Sequence, residues 1–84
     1  MEKNEILEQI IEYLKAENGL QNLAITGESG LLTDLGLNSY ELVEMCLKVE
    51  AIFDIEADEN DFRYMTVVSD VVDYVCEKRQ ETEL

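Results

Sequence analysis

Asp34-Leu35-Gly36-Leu37-Asn38-Ser39-Tyr40-Glu41-Leu42-Val43-Glu44-Met45 is where the chain passes from loop to helix. Gly36 allows a backbone conformation closed to other residues, the polar pair Asn38-Ser39 follows, and the apolar positions then take up helical spacing. The Ser39 hydroxyl therefore sits at a helix N-terminus, at the end of a loop, where a partner can reach it. Turning residues 39 to 53 by about 100° each separates two apolar stripes. Leu42, Cys46, Val49 and Phe53 centre the first, with Met45 and Ile52 beside it, and this stripe is expected to face a core. Tyr40, Val43 and Leu47 form a shorter second stripe, with Glu44 on one side and Glu50 on the other. Two readings of it stand. It is a docking surface for a basic partner, rimmed by carboxylates, or Val43 and Leu47 pack under the loop that precedes them.

Working outward, residues 3 to 18 read as a helix. Ile6, Leu7, Ile10, Ile11 and Leu14 share one face, and Asn18-Gly19 can take the left-handed conformation that ends it. Residues 19 to 38 form a long connection. Its Leu20, Leu23, Ile25, Leu31, Leu32, Leu35 and Leu37 are expected to fold back onto the helices, with a short helical turn at 31 to 35. After Phe53 the chain leaves its second helix. Asp58 is expected to cap a short third helix, residues 58 to 64, whose acidic first turn suits the helix dipole. Thr66 is expected to cap a last helix, residues 67 to about 79. There Val68, Val71, Val72 and Val75 form the apolar face, Lys78-Arg79 suits the C-terminus, and residues 80 to 84 fray. No repeat, linker or low-complexity segment interrupts residues 1 to 84. The fold class is all-α, one small four-helix bundle with a long first loop and a short third helix.

Eighty-four residues, 46% of them hydrophobic, make one small domain rather than a disordered chain. At this size folding buries only roughly 60% of the unfolded surface, so core positions are few. Twenty acidic residues against six basic ones give a net charge of -14, which excludes ordinary nucleic-acid binding and disfavours anionic membranes. Such a charge either steers encounter with basic patches or serves solubility alone. No apolar run reaches the ~20 residues of a membrane span, and the polar start Met1-Glu2-Lys3-Asn4-Glu5 has no signal-peptide core. A cytoplasmic monomer is expected. Cys46 and Cys76 lack metal-type spacing and are expected to be free, largely buried thiols.

No catalytic constellation appears. Histidine is absent, which removes Ser-His and Cys-His pairs, and no serine-lysine motif is present. Asp54-Ile55-Glu56-Ala57-Asp58-Glu59-Asn60 has the look of a calcium loop. It carries Glu59 where that loop needs glycine, and Met65 where it needs a bidentate glutamate. No metal site is expected. Ser39 remains. Its hydroxyl either caps the second helix as an ordinary N-cap or is presented for modification, and a phosphate ester there would meet the positive end of the helix dipole.

Over nearly its whole length the chain resembles the acyl carrier protein family. The resemblance rests on the first helix and long loop, Asp34-Leu35-Gly36 ahead of the serine, the acidic second helix, Phe53-Asp54-Ile55, and Thr66-Val67 opening the last helix. It implies a small acidic four-helix bundle that is not an enzyme and that bears covalent 4'-phosphopantetheine, taken from coenzyme A by a transferase. Ser39 is then the attachment residue. Asn38, Tyr40, Val43, Glu44, Leu47 and Glu50 fall where the family meets its partners, the phosphopantetheinyl transferase and acyl-processing enzymes with basic docking patches. The implied function is to hold acyl groups as thioesters and deliver them in fatty-acid or polyketide-type synthesis. A carrier of amino acids or D-alanine is an alternative, as is an interaction domain that never bears the arm. Asn38 replaces the family's usual Asp, and Tyr40 its usual Leu. The first change removes a charge that a basic transferase can read, and the second adds a hydroxyl to an apolar body.

Overall fold

Helix α1 spans Lys3–Glu17, α2 Ser39–Phe53, α3 Glu59–Phe62 and α4 Val68–Glu83 in the computed structural model, which describes residues 2–83 and, of residues 80–83, the backbone alone. Among the described residues an isolated bridge between Gly30 and Val67 takes the place of any sheet. α1 packs chiefly against α4, while α2 packs against α3 and less extensively against α4.

The helical periodicities translate into burial. α1 buries Ile6, Ile10 and Leu14, and α2 buries Leu42, Met45, Cys46, Val49 and Phe53. Val68, Val71, Val72 and Val75 do the same for α4. β-branched side chains are tolerated there because packing of one apolar face outweighs their modest helix propensity. Ile52 departs from its expected place beside the core and is 41% exposed. It stands two turns on from buried Met45 and at the margin of the stripe, where a small rotation of the helix decides between interior and surface. It opens instead on a surface groove with Tyr13 and Lys48.

The long loop is tied to the start of α4 by backbone hydrogen bonds. Leu31 N–H donates to the Thr66 carbonyl at 2.8 Å, Val68 N–H to Ser29 at 3.1 Å and Ser69 N–H to Gly27 at 2.7 Å. The first helical N–H groups of α4 thus find partners outside their own helix. Ile25, Leu31, Leu35 and Leu37 are buried by this path. Leu23 and Leu32, expected to fold inward with them, are 42% and 53% exposed. Residues 31–35 form a turn with Leu31 and Leu35 on its inner side, which leaves Leu32 facing out. Asp34 holds that turn, its Oδ2 accepting from Gly30 N–H at 2.7 Å. Gly36 then takes φ +69°, in the left-handed region that glycine adopts without strain, and no neighbouring atom would obstruct a Cβ there.

Three helix ends differ from expectation. Asp58 does cap α3, accepting from Asn60 N–H at 2.9 Å, but α3 stops at Phe62 rather than near 64. Tyr64 and Met65 donate only three residues back, at 3.4 and 3.3 Å, so the last turn tightens out of the α form. At α4 the cap comes from Asp70, not Thr66. Asp70 Oδ2 accepts from the N–H groups of Thr66 at 2.8 Å and Val67 at 3.1 Å, and the Thr66 hydroxyl donates to the same oxygen at 3.0 Å. α4 also continues to Glu83 instead of ending near 79 and fraying, because Gln80-Glu81-Thr82-Glu83 contains no glycine or proline to stop it. Leu84 lies outside the described residues. Arg79 is consequently mid-helix, and its guanidinium donates to the Phe53 carbonyl at the end of α2 at 3.1 Å.

Burial sets the expected mutational costs. Phe53 and Leu42 are 2% and 4% exposed, so Phe53→Ala and Leu42→Ala are expected to lower urea-unfolding stability by about 2–5 kcal/mol. Leu47, 62% exposed, should lose less than about 1 kcal/mol on truncation. The backbone donors of Thr66 and Val67 hold the Asp70 carboxyl below its ordinary value of 3.8. A depressed folded value stabilises fully above the ordinary one and less as pH falls through the folded one. Asp70→Asn is therefore expected to destabilise at pH 7, with the gap to wild type closing in acid, as followed by urea titrations across that range.

Candidate functional site

Ser39 is the first residue of α2 and is exposed. It is not the N-cap. Asn38 fills that role, its Oδ1 accepting from Glu41 N–H at 2.8 Å, while Glu41 Oε1 accepts from Asn38 N–H at 3.1 Å. This reciprocal pair is a capping box in which asparagine replaces the commoner serine or threonine. It overturns the reading of Ser39 as an ordinary cap. Among the described residues nothing hydrogen-bonds the Ser39 hydroxyl. The other two serines are engaged. Ser29 Oγ accepts from Thr26 N–H at 2.9 Å, and half-buried Ser69 presses its hydroxyl so close to Gly27 that a Cβ there would collide with it.

Glu41 was not among the expected site residues, nor was Asn18, yet the two are joined. Asn18 Nδ2 donates to Glu41 Oε2 at 2.8 Å across 23 residues of sequence. The Asn-x-x-Glu spacing of Asn38 and Glu41 was visible in the sequence. The Asn18 contact depends on how the loop closes and was not. Tyr13 of α1 stands near the same carboxylates. Burial first, then Glu44, Glu17 and Glu41, pushes its hydroxyl up to about 12.

The residues of the second stripe divide between open surface and groove. Asn38, Tyr40 and Glu44 are exposed beside Ser39, Tyr40 to 71%. Val43, Leu47 and Glu50 line a groove of about 480 Å³ between α2 and the α3–α4 segment. Packing under the loop is thereby excluded for Leu47, which is 62% exposed; Val43 is half-buried against the groove. Cys46 and Ala57 add apolar lining, and Glu56 and Glu59 bring carboxylates from the far side that α2 alone did not reveal. Tyr74 fixes that far wall. Its hydroxyl donates to Asp61 at 2.8 Å and accepts from Asp58 N–H at 3.1 Å, and its ring meets Phe62 edge-on at 5.3 Å. The acidic surroundings are felt by Cys46. Burial foremost, then Glu50 and Glu59, raises its thiol to about 11. Cys46 and Cys76 are both free, Cys46 buried and Cys76 only partly so.

Residues 8–75 match the family described as the phosphopantetheine attachment site. The chain is 35% identical over 75 residues to an acyl carrier protein of Coprothermobacter proteolyticus, an alignment covering 89% of this chain and 92% of that one. It is 32% identical over 77 residues to an acyl carrier protein of Rubrobacter xylanophilus, covering 92% and 95%. The crystal structure of an acyl carrier protein from Thermotoga maritima has the same fold, with a TM-score of 0.84 at 20% identity over 98% of this chain and 95% of that one. The chain belongs to the acyl carrier protein family, whose prosthetic group is covalently attached 4'-phosphopantetheine. It is a carrier, with no helix among the described residues long and apolar enough to cross a membrane.

The raised thiol and the burial of Cys46 have a direct consequence. In the folded protein at pH 8, iodoacetamide is expected to leave Cys46 unmodified on a timescale that alkylates it fully in urea, as mapped by peptide mass spectrometry.

Proposed function

We propose that Ser39 is the residue to which a phosphopantetheinyl transferase attaches the arm from coenzyme A. The observation that carries this is an exposed hydroxyl, without a hydrogen bond among the described residues, at the N-terminus of a 15-residue helix in a chain of this family. The site suits the group. A phosphodiester at Ser39 lies at the positive end of the α2 dipole, and Asn38 has already taken over the capping that would otherwise hold the serine hydroxyl. When bound, the arm supplies a terminal thiol that holds an acyl group as a thioester at high effective concentration for successive enzymes.

Acyl groups of fatty-acid or polyketide-type synthesis are the proposed cargo. The acyl carrier relatives support this, as does the apolar lining that Val43, Cys46, Leu47 and Ala57 give the groove. Asn38, Tyr40, Val43, Glu44, Leu47 and Glu50 are the proposed partner-facing residues. Tyr40 and Leu47 offer exposed apolar surface, and Glu44 and Glu50 the charge that a basic patch would meet. Residues 1–84 are proposed to act as one carrier domain, a cytoplasmic monomer without catalytic activity of its own. Support comes from one continuous core, free cysteines suited to a reducing compartment, and self-repulsion from a net charge of -14.

Incubating the apo protein with coenzyme A and a broad-specificity phosphopantetheinyl transferase is expected to add the mass of one arm, and Ser39→Ala to abolish the gain. An unchanged wild-type mass across several transferases would instead favour an interaction domain that never bears the arm.

A further inference from the structure

The first turn of α2 is tied to α1 through side chains that no partner role explains. Both oxygens of Glu41 are occupied, Oε1 by Asn38 N–H at 3.1 Å and Oε2 by Asn18 Nδ2 at 2.8 Å. Asn18 is the C-cap of α1, and its own N–H donates to Leu14. α1 packs mainly on α4 and α2 mainly on α3, so this relay joins the two halves of the bundle next to Ser39. The Asn18–Glu41 bond is partly buried, unlike the two bonds of the capping box, which are exposed to competing water. Asn18 thus shelters the carboxylate on which the box depends.

We infer that Asn18 is a positioning residue for the modification of Ser39, acting through Glu41 to hold the first turn of α2 in the geometry the transferase meets. This rests on Ser39 being the attachment residue. In that transfer the Ser39 oxygen bonds to the phosphorus of the pantetheine phosphate and the phosphoanhydride P–O bond of coenzyme A breaks. The nucleotide bisphosphate leaves with the electron pair, and the hydroxyl proton passes to a base on the transferase. Neither Asn18 nor Glu41 takes part in the bond changes. Their effect is to spare the transferase the ordering of residues 38–41. Losing the relay therefore weakens recognition of the carrier and leaves the chemical step alone.

The test is steady-state modification of the apo protein by a broad-specificity phosphopantetheinyl transferase with coenzyme A, read by intact mass, with circular dichroism confirming the fold of each variant. Asn18→Ala is expected to lower kcat/KM for the carrier about threefold to tenfold, the range that one net hydrogen bond supplies. The loss should lie in KM, with kcat unchanged. Asn18→Gln, which keeps an amide donor, should recover part of it. In a Glu41→Gln background Asn18→Ala should have little further effect, because the two act in series. If wild type is modified and Asn18→Ala is modified with the same kcat/KM, the inference fails while the Ser39 reading stands. A loss confined to kcat, or one fully additive with Glu41→Gln, also overturns it. If wild type is never modified, both fall together.

Discussion

The hydrogen bonds between residues 27–31 and the start of α4 are what the rest of the structure depends on. A domain of 84 residues has a small core, and here about a quarter of the chain is the loop between α1 and α2. Left free, that loop would place Ser39 nowhere in particular. Leu31 N–H to Thr66, Val68 N–H to Ser29 and Ser69 N–H to Gly27 fasten it, and they serve α4 at the same time by satisfying its first N–H groups. Once Leu31 is seated, the Gly30–Asp34 turn, the left-handed Gly36 and buried Leu37 bring the chain to Asn38 on a defined path. Fold and site are one arrangement, because the bonds that close the loop also deliver the serine.

At the end of that path capping and presentation are assigned to different residues. A serine in the N-cap position would be drawn into the backbone of its own helix. Asn38 takes that position, Glu41 completes the box, and Ser39 is left one residue inside the helix, its hydroxyl without a hydrogen bond among the described residues. Asparagine in place of aspartate keeps the capping oxygen and gives up a charge beside the serine. Carboxylates remain nearby: Glu44, Glu17 and Glu41 add to burial, the larger cause, in raising the Tyr13 hydroxyl. The groove beyond Leu47 is likewise lined by acids from two segments, Glu50 on α2 and Glu56, Asp58 and Glu59 opposite, with Lys78 of α4 beside them.

Much of this was legible in the sequence, and what was not has physical reasons. Periodicity located α1, α2 and α4 and sorted Leu42, Val49 and Phe53 from Tyr40 and Leu47, since helical spacing ties position to direction. It misplaced Ile52, which lies at the margin of the stripe, where a small rotation decides between core and surface. In the loop there is no period, so Leu23 and Leu32 could not be told from Leu31 and Leu35. Caps were legible only when local. Asp58 caps α3 as expected, through the N–H of Asn60 two residues on. Thr66 was expected at the start of α4, where Asp70 accepts the hydrogen bonds, and Ser39 stood as a possible cap of α2, where Asn38 is the cap, because two suitable residues stand close together in each place. Contacts such as Asn18 with Glu41, Tyr74 with Asp58, or Arg79 with the Phe53 carbonyl join segments far apart in sequence. No local pattern signals them.

The proposal that follows from this arrangement is that Ser39, alone of three serines, takes the modification. It is tested most directly by locating the modification at residue level. Trypsin cleaving at Lys15 and Lys48 releases Ser29 and Ser39 together, with Ser69 on another peptide, so fragmentation of the modified peptide is required. The account predicts that the phosphopantetheine mass lies on Ser39 alone, with Ser29 and Ser69 unmodified. Finding it on Ser29 or Ser69, whose hydroxyls the fold holds in hydrogen bonding or close packing, would contradict the account.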